Sequence, residues 1–277
     1  MAERFDLFRL SLLLRQQRDA FEGPDPTREE YLRKIFGEKR TFSFYGTEFH
    51  YVPEDPQSRS DVVMGRIGRA LSTEENTSPD EGFKETIHAG WRAVTIVVDP
   101  KHHDDGQKVA VEVNNRVGKA KGLISGLVDA INETYPHTAY AVEVAAIINA
   151  ESFWHFAEQN KGMITRLTFE FVAPNMFGGT DDLSEELRAF RQKENAEKVT
   201  IGLQSNEGLE TDTDRTREAV DYAVQGCGTI KARTKSGKRF DSSRTNASSK
   251  LDEPAEEDTR PTLVRLASLV GRILGRE

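Results

Sequence analysis

The sequence predicts an α+β protein in which helices pack on a mixed or mostly antiparallel sheet, with a flexible tail and a C-terminal amphipathic helix. Three observations support this fold class. Apolar runs of strand length alternate with stretches of helical periodicity between Trp91 and Pro174. The Asp105-Gly106 dipeptide between two such runs is a strong hairpin signal. A long polar segment then separates these elements from a short apolar-striped helix at the end of the chain.

The central region supplies most of the predicted elements. We expect strands over Trp91–Asp99, Val109–Val113, Tyr140–Ile148 and Ile164–Val172, and helices over Gly118–Tyr135 and Ala150–Ala157. In the longer helix, the apolar residues that recur at helical spacing are Val117, Ile124, Leu127, Val128 and Ile131. Pro136 ends that helix.

The flanking regions add shorter elements. The apolar run Phe5–Leu14 predicts a strand, and Thr27 with Glu30 forms a capping-box pattern at the start of a helix that Gly37 ends. The segment Leu71–Gly82 is polar and predicts a surface loop. Beyond Pro174 we expect helices over Asp181–Ala196 and Asp212–Tyr222, and strands over Lys198–Gln204 and Gly228–Arg233.

These elements suggest a division into four parts. They are a β-rich N-terminal region (1–90), a central α+β domain (91–235), a flexible linker (236–260) and an amphipathic helix (261–277). A chain of 277 residues is near the size at which single cores stop growing, so one large domain or two small ones are expected.

Composition limits the function classes. Hydrophobic residues make up 36% and charged residues 30% of the chain, and the formal charge of −8 argues against wholesale coating of nucleic acid or anionic lipid. A single cysteine, Cys227, excludes an intrachain disulfide. The first residues do not resemble a signal peptide and no apolar run reaches the ~20 residues of a membrane span, so we expect a cytoplasmic protein.

A cationic segment near the end of the last predicted strand is the first candidate site. It contains Lys231, Arg233, Lys235, Lys238 and Arg239, with no acid before Asp241. On an extended strand the first three would share one face at a spacing of about 7 Å, which matches the repeat of backbone phosphates. The alternative is an edge strand blunted by charge. Gly226 and Gly228 do not form a phosphate loop, because no helix with a Gly-Lys-Ser/Thr motif follows.

A second candidate is Gly65-Arg66-Ile67-Gly68-Arg69, where Arg66 and Arg69 suit phosphate or carboxylate. The alternative is a β-bulge whose arginines pair with nearby acids, and that interpretation is favoured.

No catalytic or metal-binding set emerges from the sequence. His102-His103-Asp104-Asp105 is read as a solvated turn, because a metal site needs convergent ligands. Glu112, Asn114 and Glu143 do not complete a nuclease carboxylate pattern. We therefore expect no cofactor, no metal and no catalytic residue, and Cys227 is interpreted as a packed side chain.

The terminal helix is the third candidate. Its apolar face comprises Leu263, Leu266, Val270, Ile273 and Leu274, and Arg265, Arg272 and Arg276 lie opposite. Such a face must be buried. We rank a partner or a second copy first, docking onto the chain's own body second, and a membrane surface third.

The order of elements resembles that of a loose group of bacterial anti-phage and phage-exclusion proteins that includes RexA and the KwaB component of Kiwa. The likeness rests on Val109–Val113 followed by a basic helix start, the strand Val-Glu-Val-Ala-Ala-Ile-Ile, and Ile-Thr-Arg-Leu-Thr-Phe-Glu-Phe-Val-Ala-Pro-Asn at 164–175. It covers about residues 40–235 and includes no diagnostic motif. The resemblance implies a cytosolic defence protein, often dimeric, that binds DNA without sequence preference and works with a second component.

The leading hypothesis is therefore a nucleic-acid-binding component of an anti-phage defence system that senses or clamps without catalysis. DNA is favoured over RNA as the ligand, and a homo-oligomer or a second defence component is the expected protein partner. The alternatives are an interaction subunit assembled through its terminal helix, and an abortive-infection nuclease whose acids the sequence does not assemble.

Overall fold

The computed structural model describes residues 3–15, 26–54, 61–103, 106–172, 182–194, 196, 198–224, 228–244, 246–251 and 262–276. Within these ranges the chain has an α+β fold, with its strands in two antiparallel sheets, as the sequence predicts. The strands are β1 (Glu3–Leu14), β2 (Arg40–Phe44), β3 (Thr47–Pro53), β4 (Val63–Asn76), β5 (Glu85–Asp99), β6 (Gln107–Glu112), β7 (Tyr140–Ala146), β8 (Ile164–Val172), β9 (Lys198–Gln204), β10 (Gly228–Thr234), β11 (Arg239–Asp241) and β12 (Ser248–Leu251). The helices are α1 (Arg28–Phe36), α2 (Ala120–Thr134), α3 (Ala150–Gln159), α4 (Asp182–Glu194), α5 (Asp214–Tyr222), α6 (Thr262–Ala267) and α7 (Val270–Leu274).

The first sheet has eight strands in the order β12-β1-β6-β5-β4-β3-β2, and β7 lies beside β12 on the outer edge of β1. β1 is apolar on both faces because both faces are covered. Phe8, Leu10 and Leu12 contact the core under α1 and α2. Phe5 and Leu7 point the other way, into a core closed by α6 and α7.

The two helices on the first face begin and pack as their sequences predict. The Thr27 hydroxyl accepts a hydrogen bond from the Glu30 amide, and the Glu30 carboxylate accepts one from the Thr27 amide, which completes the capping box. The predicted apolar face of α2, together with Val117 just before it, is buried. This half of the chain follows local sequence rules closely.

Two of the predicted divisions do not follow the strand pairing. The division at residue 90 falls inside β5, which continues one sheet from β4 to β6. The predicted linker 236–260 contains β11, paired to β10, and β12, paired to β1; its residues 245 and 252–260 lie outside the described residues. Pairing with the neighbouring β10 and with the distant β1 gives these polar segments an ordered place that their composition does not reveal.

The predicted loop Leu71–Gly82 is mostly strand. β4 and β5 pair continuously from Val63↔Val98 to Asn76↔Glu85, and the outer half of this hairpin extends beyond the body of the sheet. A turn at Pro79–Glu81 joins the strands, and Gly82 ends it with φ of 80°. Both faces of the outer half are largely exposed, so its residues lack the one-sided apolar pattern that identifies a strand in a sequence.

The second sheet has four strands in the order β11-β10-β8-β9. One face packs on α3, α4 and α5 through an apolar core that includes Phe153, Leu183, Val220, Leu167 and Ile230. Within the described ranges, the opposite face has no such apolar cover. Among the described residues, no helix is long and apolar enough to cross a membrane.

Candidate nucleic-acid interface

The uncovered face of the second sheet is polar and carries most of the predicted contact residues. Successive strand residues point to opposite faces, so the apolar Leu167, Phe169 and Phe171 of β8 enter the core while Arg166, Thr168 and Glu170 point outward. The corresponding outward residues of β10 are Thr229, Lys231 and Arg233. We call this surface the open face.

Three arginines form a row across the open face. Arg233 of β10 lies directly opposite Arg166 of β8 on one side and Arg239 of β11 on the other. Neighbouring strands are about 4.8 Å apart, so the row spans about 10 Å. The Arg166 guanidinium donates to the Gln204 side-chain oxygen at 3.1 Å, which extends the row to β9.

The arginine row is not neutralised within the part of the chain that the structure describes. There, the Arg233 and Arg239 side chains form no ion pair or hydrogen bond with another residue, and both residues are exposed. Like charges directly opposite on neighbouring strands destabilise a sheet by about 0.2–1 kcal/mol for each pair. The arrangement therefore opposes folding, and an anion placed over the row would offset the repulsion.

Lys231 differs from the arginines because it has a carboxylate partner. Its ammonium lies 2.8 Å from the Glu170 carboxylate, which also accepts a hydrogen bond from the Thr229 hydroxyl. The hydrogen bond from Lys231 is the main cause that lowers the pKa of Glu170, and the same bond raises the pKa of Lys231. Of the predicted cations on β10, Lys231 is thus already paired.

Lys235 and Lys238 lie in the turn between β10 and β11 rather than on the strand. β10 ends at Thr234 after an irregularity in its pairing, and Gly237 takes a positive φ of 83° to close the turn. The Lys235 ammonium donates to the Glu207 carbonyl at 2.7 Å. The expectation that Lys235 continues the row of Lys231 and Arg233 is therefore wrong, although both turn lysines are exposed beside the row.

A shallow cavity of about 400 Å³ covers the row. It is lined by Arg166, Thr168, Lys231, Ala232, Arg233, Arg239, Phe240 and Asp241. Its positive end is the arginine row, and its other end holds Lys231 between two acidic residues. The surface is polarised, with an anion-attracting side and a neutralised side.

Arg166 was missed by sequence reasoning. The alternation Thr-Arg-Leu-Thr-Phe-Glu-Phe places it outward on β8, but nothing in the local sequence reveals that it stands opposite Arg233. The register of two strands distant in the chain creates the row.

Arg66 and Arg69 do not join this surface. Both belong to β4 of the first sheet, and their odd separation directs them to opposite faces. The Arg69 guanidinium donates to the Arg116 carbonyl at 2.8 Å and lies 5.9 Å from the Phe49 ring centroid. In the described residues, β4 pairs with β3 and β5 without the expected bulge. The missing side chain at Gly65 makes room for the Tyr51 ring.

The predicted partner surface of the terminal helix is buried in the molecule itself. Leu266, Ile273 and Leu274 are at most 1% exposed and belong to the second core of the first sheet, while Val270 packs against that core. Partner binding through this face, ranked first from the sequence, is corrected to docking onto the chain's own body. The Leu263 side chain lies outside the described residues.

A break after Ala267 divides the predicted terminal helix into two short helices, α6 and α7, which pack on the same core. Two arginines expected on a solvated face bind to the body. Arg265 pairs with Glu3, and Arg276 pairs with Asp99 and donates to the Gly106 carbonyl.

The residues considered as catalytic or metal-binding candidates make contacts within the fold. The Glu112 carboxylate accepts from the Thr95 amide at 2.8 Å, and His103 lies 3.0 Å from the Asp99 carboxylate. In the described segments there is no group of three or more His, Cys, Asp and Glu side chains that could hold a metal ion. Cys227, Asp104 and Asp105 lie outside the described residues.

Comparison with known proteins finds no relative of this chain. No family model matches the chain, and neither a curated protein nor a solved structure shows significant similarity to it.

Proposed function

We propose that the open face of the second sheet binds the phosphate backbone of a nucleic acid, DNA in the first instance, as a sensor or clamp without catalysis. The arginine row is the observation that carries the proposal. Arg166, Arg233 and Arg239 stand opposite one another on three strands, where their mutual repulsion opposes folding. Arginine is well suited to bidentate contact with phosphate.

The distribution of charge supports an extended polyanion rather than a single small anion. The row is flanked by the exposed Lys235 and Lys238, so cations continue beyond the reach of one phosphate group. The whole chain has a formal charge of −8, so attraction of a polyanion depends on this local positive surface. Contacts of these cations with the phosphate backbone are independent of sequence, because every nucleotide carries the same phosphate.

The test measures binding of fluorescently labelled oligonucleotides, DNA and RNA, by anisotropy over a range of salt concentrations. For wild-type protein, affinity should fall linearly with salt on a double logarithmic plot. Replacing Arg233 and Arg239 by Gln should weaken binding and reduce the slope by about 1.4–1.8, which corresponds to two lost phosphate contacts.

A matched control is available on the other side of the same sheet. Arg215 and Arg217 lie on α5 and pair with acids, so changing both to Gln removes the same charge without touching the open face. Binding by this control should equal that of the wild type. Binding that ignores salt, or that falls equally in both double variants, would refute the proposal.

A role in anti-phage defence is a further part of the proposal, and the resemblance in element order supports it. The cell-based measurement is phage plating on bacteria that express wild-type protein or the Arg233/Arg239 variant. Protection that requires the two arginines supports the role, whereas equal plating with and without wild-type protein contradicts it.

A further inference from the structure

The outer half of the β4–β5 hairpin is a two-stranded arm that the rest of the first sheet does not support. It comprises Arg69–Asn76 of β4 and Glu85–Arg92 of β5, and at about 3.3 Å per residue it is about 25 Å long. Within the described ranges, β3 pairs with β4 only up to Gly68, and β6 pairs with β5 only from Ile96 onward. Two-stranded ribbons are marginal on their own in water, so a further strand would stabilise the arm.

The hydrogen bonds at the two ends of the arm show which backbone groups its β5 edge presents. The Lys84 carbonyl accepts from the Thr77 amide of β4, whereas the Thr95 amide points away from β4 and donates to the Glu112 side chain. In an antiparallel strand the N–H and C=O of one residue point to the same side, and neighbouring residues point to opposite sides. The odd-numbered residues of β5 therefore direct their backbone groups to the free edge. Within the arm they are Glu85, Ile87, Ala89 and Trp91.

Three of these residues also form an exposed apolar stripe. The Ile87 and Trp91 side chains are 69% and 66% exposed, and Ala89 between them is exposed as well. The Trp91 ring is held in place by an edge contact with the His50 ring, with 5.1 Å between the ring centroids. The corresponding positions across from the stripe on β4 include the polar Ser72 and Glu74. An edge strand that is unpaired and apolar is a surface for pairing with another chain, so the β5 edge is the one to consider.

We infer that the arm pairs with the arm of a second copy of the chain, through antiparallel contact of the two β5 edges about a two-fold axis at Ala89. In that register each Trp91 stands opposite Ile87 of the other copy, and Ala89 stands opposite itself. The two stripes then form one continuous apolar face, in which aromatic and β-branched side chains make favourable cross-strand pairs. Each of these residue pairs exchanges two backbone hydrogen bonds, because its members direct their N–H and C=O groups to the shared edge.

The charges of the arm favour a second copy over an unrelated strand. Arg69 and Arg92 stand opposite each other at its inner end. Glu75 and Glu85 lie at its outer end. Antiparallel pairing places the acidic outer end of each copy beside the basic inner end of the other. Arg92 then stands opposite Thr86 of the other copy, and Glu75 of that copy lies one strand further on the same face, at about 10 Å between backbones, which two long side chains can span.

The experiment measures the mass of the full chain in solution by sedimentation equilibrium. The wild type should be a dimer that dissociates on dilution. Ala89→Lys and Ala89→Glu each place like charges opposite one another across the axis, so each should weaken the dimer by up to about fivefold. The two changes are complementary, so an equimolar mixture of the two variants should form a heterodimer more tightly than either variant associates alone.

Proline at the same position removes hydrogen bonds between the copies without removing one between β4 and β5. Ala89→Pro deletes the outward N–H in both copies, so two hydrogen bonds are lost per dimer, and the dissociation constant should rise about 5- to 150-fold. Ser72→Pro is the matched control, because Ser72 pairs directly with Ala89 and its N–H points to the other edge of the arm. This control should associate as the wild type does.

A wild type that is monomeric at every concentration would overturn the inference. So would a dimer that keeps its affinity in Ala89→Pro, or a Lys/Glu mixture that associates no better than its components, because another surface would then make the contact. If Ala89→Pro unfolds the arm, the charged variants still decide, since both place their new side chain at an exposed position. These measurements contain no nucleic acid, so their outcome is independent of the proposed function.

Discussion

Replacing Arg233 by Thr should make the protein more stable while weakening its binding to nucleic acid. Arg233 is the middle member of the arginine row and stands opposite a cation on both sides. Each like-charged pair costs about 0.2–1 kcal/mol, so removing both should raise the free energy of unfolding by about 0.4–2 kcal/mol. For a chain of this size the gain corresponds to a rise of about 2–4 °C in the melting temperature for each kcal/mol. Threonine is also enriched in β-strands.

The assay is urea unfolding at low and at high salt, with Lys231→Thr as the matched control. Both residues are exposed on β10, but Lys231 is paired with Glu170, so its replacement should leave stability unchanged or lower it by up to about 1 kcal/mol. The gain from Arg233→Thr should shrink at high salt, because salt screens repulsion between exposed charges. A destabilised Arg233→Thr protein, or a gain that does not depend on salt, would show that the row is not under electrostatic strain.

Three further predictions test the packing and the charge network. Ile273→Ala should lower the free energy of unfolding by about 2–5 kcal/mol in urea titrations and leave the mass in solution unchanged. The control Val264→Ala, at a side chain that is 51% exposed, should change the free energy of unfolding by less than about 0.5 kcal/mol. A changed mass with unchanged stability would restore the partner-binding interpretation. Gly65→Ala should lower the free energy of unfolding by about 1–3 kcal/mol, because its methyl group would lie 2.5 Å from the ring of the buried Tyr51. The control Gly90→Ala, which has open space around it, should leave the melting temperature unchanged or raise it slightly. The lysine partner lowers the pKa of Glu170, so the pair stabilises the fold above the ordinary value of 4.5 and loses this effect as pH falls through the lowered pKa. The difference in melting temperature between wild type and Glu170→Gln should therefore be present near neutral pH and shrink as the pH falls below 4.5.

Local patterns predicted the parts of the fold that one-sided burial controls. The capping box at Thr27 and the buried face of α2 depend on residues within a few positions of each other, and both are read directly from the sequence. The outer half of the β4–β5 hairpin was not predicted, because neither of its faces is buried. The terminal segment differs for another reason. Its apolar face is buried as the periodicity indicates, but the surface that covers it includes Phe5 and Leu7 of β1, at the other end of the chain.

The candidate site was predictable only in part, for a geometric reason. Lys231, Arg233 and Arg239 are visible as a cationic cluster, but their roles depend on what lies across from each of them. Glu170 neutralises Lys231, and Arg166 adds a second arginine opposite Arg233, besides Arg239. Both Glu170 and Arg166 belong to β8, far away in the chain. Antiparallel register thus decides which cation is a structural partner and which is available to a ligand.

The two sheets differ in how much of their surface the fold uses. The first sheet buries both faces, one under α1 and α2 and the other under α6 and α7, so its central part offers little surface for a ligand. The second sheet buries one face under α3, α4 and α5 and leaves the other free. The arginine row lies on that face, and its mutual repulsion opposes folding. A strand that carries phosphates would relieve this repulsion. The register of β8, β10 and β11 is therefore the physical reason to propose the second sheet as the site of function.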